Sequence, residues 1–379
     1  MSHIAQRILD QRASSLRPPL GVVPAGAISL ALGEPDFPTP EPIANAGNKA
    51  VSEGNTRYTD QHGLRSLREK LVSALPSGPA NKDWDADNVV VTHGATAALG
   101  AIFFALLSPG DKVVIPEPAY SLYADLVTLA GGEVVYAKLG KDLHFDIEEL
   151  KEKLPGAKAI VFSNPSNPNG IVHTKHELEE LGKLLEGRST LVISDEAYSS
   201  LTYSGHDFTS ALEVESLAPR TLYVQTFSKK YAMTGWRVGY VAGDKELIAA
   251  IAQFHRTFNG SLNNAAQIAA EAALDLPDSA LQPMLDEYAA RRELMVELLN
   301  EVPGIETVEP EGAFYSFIHY EVDKPSVQVA RELGDAGVIV RAGAEYGPSA
   351  EHHIRISFAA SQEEIRRGFS IIRDYFASQ

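Results

Sequence analysis

The sequence has no cysteine among its 379 residues. A disulfide framework, a thiolate nucleophile and a cysteine metal site are therefore excluded. Basic residues are also short: 33 Lys and Arg stand against 50 Asp and Glu, a formal charge of −17. The field of such a chain repels a phosphate backbone. That argues against nucleic acid as a partner and leaves room for a small anion in a locally basic pocket. Long apolar runs are missing too. The longest, Ala97 to Leu107, is interrupted by Gly100 and stopped by Ser108-Pro109, well short of the roughly 20 residues that span a bilayer. Met1 to Leu20 lacks the apolar core of a signal peptide, so a soluble, cytoplasmic protein without a membrane partner is expected. Neither a Gly-Lys-Ser/Thr phosphate loop nor a dinucleotide fingerprint stands at a strand-to-helix junction. His173 and His176 read as helix-start residues and His352 and His353 form no constellation, so no metal site is expected.

What is present centres on Thr226-Phe227-Ser228-Lys229-Lys230-Tyr231-Ala232-Met233-Thr234-Gly235-Trp236-Arg237-Val238-Gly239-Tyr240, which follows the β-type run Thr221 to Gln225. A lysine beside hydroxyls at a strand end suits imine chemistry, because a desolvated amine near other cations loses its proton readily. Arg237, eight residues on, adds a permanent fork-shaped donor suited to phosphate. A lysine with a phosphate anchor is what a pyridoxal phosphate site requires. Three further signals stand at strand ends. His93-Gly94-Ala95-Thr96 is a glycine-containing turn entering a helix from Ala97 to Leu107, where free N–H groups and the helix dipole favour an anion. Asn164-Pro165-Ser166-Asn167-Pro168-Asn169-Gly170 follows an apolar strand. Leu191-Val192-Ile193-Ser194-Asp195-Glu196-Ala197-Tyr198 runs a strand into two acids, and a carboxylate buried there needs a partner.

These segments, in this order, resemble the class I aminotransferases, the fold-type-I enzymes that use pyridoxal phosphate. The resemblance implies that Lys229 carries the cofactor as an imine and moves the substrate's α-proton, and that Asp195 faces the ring nitrogen. It also implies that Tyr198 and Asn167 donate to the ring oxygen and that Tyr120 stacks on the ring. Gly94, Ala95, Thr96, Thr226, Ser228 and Arg237 would hold the phosphate, with Tyr58 reaching it from a second subunit. Arg355, in Ile354-Arg355-Ile356-Ser357-Phe358, would grip the substrate α-carboxylate beside Asn167 and Gly33. Arg256 falls near the register of an arginine that reads a distal carboxylate across the dimer. Glu196 is expected to be structural. A homodimer with its sites at the interface follows from the roles of Tyr58 and Arg256.

Strand-like runs near residues 89, 113, 133, 159, 190, 221 and 238 alternate mostly with helical stretches. They predict an α/β fold with a seven-stranded, mostly parallel sheet and helices on both faces. The closeness of the last two predicts that Val238 to Ala242 runs antiparallel. A short helix around Ile4 to Arg12 precedes a proline-rich arm, and Thr174 to Glu177 makes a capping box for a helix to Leu185. Short strands at Ile305 to Val308, Phe314 to Ile318, Val338 to Val340 and His353 to Ser357 join helices Ser326 to Ala336 and Gln362 to Phe376 in a smaller α+β unit. The division expected is an arm over 1–40 joining the small domain, a cofactor-binding domain over 41–280 and a small domain over 281–379.

The reaction implied is ping-pong transamination between an L-amino acid and a 2-oxo acid, with glutamate/2-oxoglutarate or aspartate/oxaloacetate as one pair. A lyase on the same fold, cleaving C–S bonds or forming cyclopropane carboxylates, is the alternative.

Overall fold

Both faces of a parallel sheet are covered by helices, so its strands read as unbroken apolar runs. Val89-Val90-Val91, Val113-Val114-Ile115 and Ile160-Val161-Phe162 are such runs, and each is buried in a strand of the computed structural model, which describes residues 3–16 and 26–379. The proline-rich arm falls largely within 17–25, outside the described residues.

In chain order the strands are β1 (Ile28–Ser29), β2 (Val89–Thr92), β3 (Lys112–Glu117), β4 (Glu133–Lys138), β5 (Ala157–Ser163), β6 (Leu191–Asp195), β7 (Thr221–Thr226), β8 (Gly239–Ala242), β9 (Ile305–Thr307), β10 (Tyr315–Tyr320), β11 (Val338–Ile339), β12 (Arg341–Ala342) and β13 (His353–Ser357). Seven of them form one sheet in the order β2-β8-β7-β6-β5-β3-β4. Its pairings are parallel from β4 through β7, and β8 runs antiparallel to both β7 and β2. Successive side chains on a strand point to opposite faces. Thus Ile115, Val161, Ile193 and Val224 meet Leu99, Ile102 and Phe103 of the helix Gly94–Leu106. Val114, Ile160, Phe162 and Val192 meet Leu178 and Leu181 of the helix Lys175–Leu184 on the other face. Each fully buried Val, Leu or Ile in these layers contributes about 1.5–3 kcal/mol. Because β2, β5, β6 and β7 run the same way, their C-terminal residues Thr92, Ser163, Asp195 and Thr226 gather at one edge, where open α/β sheets bind ligands.

The remaining strands sit apart. β12, β13, β10 and β9 form a four-stranded antiparallel sheet. The helices Ser326–Ala336 and Gln362–Ala377 close a core over it, with Val329, Leu333, Ile365, Phe369 and Ile372 against Phe314, Ile318, Ile354 and Ile356. The strand expected at Val338 to Val340 divides instead. Val338 and Ile339 pair in parallel with Ile28 and Ser29, which takes up their hydrogen-bonding edge. Arg341 and Ala342 then supply the edge strand of the larger sheet, pairing with β13. Leu30 continues the suture, donating to Ile339 O at 2.9 Å and accepting from Ser357 N at 2.8 Å.

Two helix starts differ from expectation. The first helix covers Gln6–Ser14, and the helix after β2 begins at Gly94 rather than Ala97. The Thr174 capping box forms as its sequence predicts. Among the described residues, no helix is long and apolar enough to cross a membrane.

Candidate active site

Thr226, the last residue of β7, caps the single turn Phe227–Lys230: its hydroxyl accepts from Ser228 N at 3.2 Å and donates to Val238 O at 3.1 Å. The turn carries Lys229 off the sheet edge into a cleft of about 400 Å3. There Nζ donates to Gly33 O at 2.6 Å. Burial pulls the amine down to about 8; Glu34 opposes this, while the nearby Arg355 and Arg237 guanidinium groups add to it. A lysine at that value is neutral in about a tenth of molecules at pH 7, enough to act as a base.

One end of the cleft is built for an anion. Starting the helix at Gly94 puts Gly94, Ala95 and Thr96 in its first turn, where the N–H groups have no partner inside the helix. Gly94 sits at φ +78°, and a Cβ added there would stand 2.7 Å from Arg237 Nη2. A Cβ on Gly239 would stand 2.7 Å from Gly94 C and 2.8 Å from Ala95 N, so β8 lies directly beneath the helix start. Arg237 is left-handed, at φ 56°, a conformation that costs a non-glycine residue about 1–2 kcal/mol. It donates to Thr234 O at 2.9 Å. Ala95, Thr96, Thr226, Ser228 and Arg237 all line the cleft.

The other end is aromatic and acidic. Asp195 ends β6; its Oδ2 accepts from Tyr123 OH at 2.8 Å, and its Oδ1 accepts from Ala197 N at 3.3 Å. Burial raises its carboxyl to about 6 even though both donors favour the anion. Glu196, next in sequence, turns away from the cleft. It accepts from Ser194 Oγ and Ser210 Oγ, each at 2.9 Å, and burial lifts it to about 8. Tyr198 and Tyr315 join hydroxyls at 2.8 Å. Tyr120 lines the cleft with its ring edge-on to Tyr123.

Arg355 on β13 donates through Nη1 to Asn167 Oδ1 at 2.9 Å and through Nη2 to Ala31 O. Its guanidinium stacks 4.3 Å from the Tyr315 ring centroid. Among the described residues, its buried Nε has no hydrogen-bond partner. Because Arg355 occupies Oδ1 of Asn167, the amide nitrogen of Asn167 is left to donate elsewhere.

Tyr58 and Arg256 do not join this cleft. Tyr58 is 97% exposed, and Arg256 is exposed on the helix Lys245–Asn259. Conversely, Tyr123, Tyr315, Arg341 and Tyr346, to which the resemblance assigns no role, line the cleft. A weak signal existed for two of them. Tyr123 follows Tyr120 by three residues, one helical turn, and Tyr315 closes the glycine-containing segment 310–315.

The donor set fits pyridoxal phosphate. The helix start with Arg237 suits a dianion. A protonated ring nitrogen would relieve the buried Asp195, and a depressed amine stands in the same cleft to bind the aldehyde.

Comparison with known proteins agrees. The family profile "Aminotransferase class I and II" matches residues 25–372. An aspartate aminotransferase of Thermotoga maritima is 36% identical over 355 residues, 93% of this chain and 92% of the relative. Among solved structures, a Thermus thermophilus aspartate aminotransferase tetra mutant aligns at TM-score 0.87 and 32% identity, covering 99% of both chains. An aromatic aminotransferase from Pyrococcus horikoshii OT3 aligns at TM-score 0.88 and 33% identity, covering 93% of this chain and 96% of that one. With a match that spans nearly its whole length, the chain belongs to the class I and II aminotransferases and is a pyridoxal-phosphate-dependent aminotransferase.

Proposed function

We propose that one substrate pair is aspartate/oxaloacetate or glutamate/2-oxoglutarate, exchanged with aspartate, alanine or an aromatic amino acid. The observation that carries the α-amino acid part of this reading is the depressed Lys229 amine sharing one cleft with the Arg355 guanidinium. A base and a carboxylate fork so placed select an α-amino acid. The names of the Thermotoga and Thermus relatives support a dicarboxylate, and that of the Pyrococcus protein supports an aromatic partner.

In this reading Gly94, Ala95, Thr96, Thr226, Ser228 and Arg237 hold the phosphate of the cofactor. Asp195 keeps its ring nitrogen protonated, Tyr198 and Asn167 donate to its ring oxygen, and Tyr120 covers one face. Pyridoxal phosphate, when bound, supplies the electron-accepting ring that takes up the charge left at the substrate α-carbon and stores the amino group between half-reactions. Lys229 takes the proton from that carbon onto Nζ. Arg355 and Asn167, with Gly33 beside them, orient the α-carboxylate.

The enzyme is a cytoplasmic homodimer in this reading. Tyr58 and Arg256, neither of which lines its own chain's cleft, serve the partner's phosphate and a distal carboxylate. The arm 1–40 joins a small domain over 281–379, and the cofactor-binding domain covers 41–280. The pairing of β1 with β11 supports the first of these assignments. Elimination chemistry is the less favoured reading, since the relatives named above are all aminotransferases.

The test is an absorbance spectrum of the holoenzyme as amino acids are added singly, then 2-oxo acids. Aspartate or glutamate should bleach the band near about 360–430 nm toward about 330 nm, and a 2-oxo acid should restore it. Lys229→Ala should stop turnover while leaving phosphate binding intact. A band that dicarboxylic amino acids leave unchanged, or bleaching that no oxo acid reverses, would defeat the proposal.

A further inference from the structure

An ionic cluster stands outside the cofactor cleft. His144, in the loop 139–146, stands between two carboxylates: Nδ1 lies 2.9 Å from Glu177 Oε2, and Nε2 lies 3.5 Å from Glu311 Oε1. Glu177 also accepts from Phe145 N at 2.9 Å and Thr174 N at 2.7 Å, and faces His173 at 3.4 Å. Glu311 accepts from Val172 N at 2.8 Å and faces His206 at 3.4 Å. Asp142 accepts from the backbone N–H of His144 at 3.2 Å.

The cluster joins two segments that end in the cofactor site. One is the loop 164–173, which carries Asn167 and is tied end to end by His173 N donating to Asn164 Oδ1 at 2.9 Å. The other is 310–315, which ends in Tyr315. Glu311 N and Gly312 N both donate to Gly170 O, at 2.9 and 2.8 Å. A Cβ on Gly170 would stand 2.7 Å from Tyr315 O, so the two segments are in backbone contact. Glu177 and Glu311 repel each other unless a cation lies between them. Neutral imidazole has one N–H to give, whereas imidazolium has two, one for each carboxylate. Burial disfavours the cation, but the two carboxylates outweigh it and hold His144 charged up to about 10.

We propose that His144 is a positioning residue: its imidazolium ties Glu177 to Glu311 and so holds Asn167 and Tyr315 in place in the cofactor site. This rests on the reading of Asn167 as donor to the ring oxygen. A divalent metal is the competing occupant, since ligand atoms of His144, His173 and Glu177 lie within 4.8 Å of one another. Both oxygens of Glu177 already accept backbone N–H groups, and Oε2 also takes the Thr174 hydroxyl at 2.8 Å. That leaves the carboxylate poorly placed to ligate a metal.

The experiment is a pH titration of cofactor absorbance in the holoenzyme for wild type, Asn167→Ala, His144→Gln and His144→Arg. Apoprotein melting is followed across the same pH range. Asn167→Ala should raise the spectral pKa, and His144→Gln should raise it in the same direction by about half a unit. His144→Arg, a permanent cation with several donors, should restore it. In the apoprotein, the melting gap between wild type and His144→Gln should be full below about 6.5 and close as pH rises through about 10. If Asn167→Ala shifts the spectral pKa but His144→Gln lowers only the melting temperature, the positioning role is overturned while the Asn167 reading stands. If Asn167→Ala shifts nothing, both fall. A spectral change in wild type on chelation that zinc reverses would replace the proton with a metal.

Discussion

The phenol of Tyr123 donates to Asp195 Oδ2 across 2.8 Å in the interior, linking residues 72 apart in sequence. Asp195 thus reaches the cleft with each oxygen accepting one hydrogen bond, the other coming from Ala197 N at 3.3 Å. The hydrogen bond from Tyr123 opposes the burial that lifts the carboxyl to about 6.

Tyr123→Phe removes a hydrogen bond to an ionised group, worth about 1.5–3 kcal/mol. The Asp195 carboxyl should rise further, and less of it should be ionised to keep the ring nitrogen protonated. The half-reaction rate with aspartate should fall several-fold at pH 6 and recover toward wild type as pH rises. Stopped-flow rates from pH 6 to 9 check this, and parallel profiles for the two proteins would contradict it.

Glu196 supplies a pH-dependent stability term. Its native carboxyl keeps its proton to about 8, whereas an unfolded glutamate releases it near 4.5. The native state therefore binds more protons between those values, and stability falls as pH rises through that window. Glu196→Gln keeps the shape and is always neutral. Its melting temperature relative to wild type should climb between pH 5 and 8 and level off above. Differential scanning calorimetry of the apoproteins reads this directly.

Gly239→Ala places a methyl against the backbone of Gly94 and Ala95, which cannot swing aside as a side chain can. The helix start must shift, and the proposed phosphate cup shifts with it. Affinity for pyridoxal phosphate should fall at least about tenfold, or 1.4 kcal/mol. Equilibrium dialysis measures it. Gly334→Ala, whose new Cβ would meet only Ile339 Cδ1 at 3.7 Å, is the control for a glycine-to-alanine change without a backbone clash.

Tyr58 is nearly fully exposed within its own chain. If it serves the partner's site, a mixture of Lys229→Ala and Tyr58→Ala chains, unfolded and refolded together, forms heterodimers holding one intact site each. Turnover in the mixture should exceed the mean of the two variants. Strict averaging would show that Tyr58 serves no partner.

The sequence by itself determined the family, through signals carried by contiguous residues. The spacing of Lys229 and Arg237, the strand ending in Asp195 and the isolated Arg355 between apolar neighbours are properties of short segments, set by local geometry. The alternation of apolar runs with helices determined the sheet, and the short link from β7 to β8 determined the antiparallel strand. Tertiary structure decided the partners. Tyr123 meets Asp195, Tyr315 meets Tyr198 and His144 meets Glu311 only because strand order and register bring distant segments together. A register change of one residue would send Asp195 on β6 and Tyr315 on β10 to the other face. The contact between Gly239 on β8 and the helix start at Gly94 and Ala95 was likewise decided by the order of the strands. Val338–Ile339 took its partner from the N-terminal β1 because the edge was free for it, which no local pattern in either segment encodes.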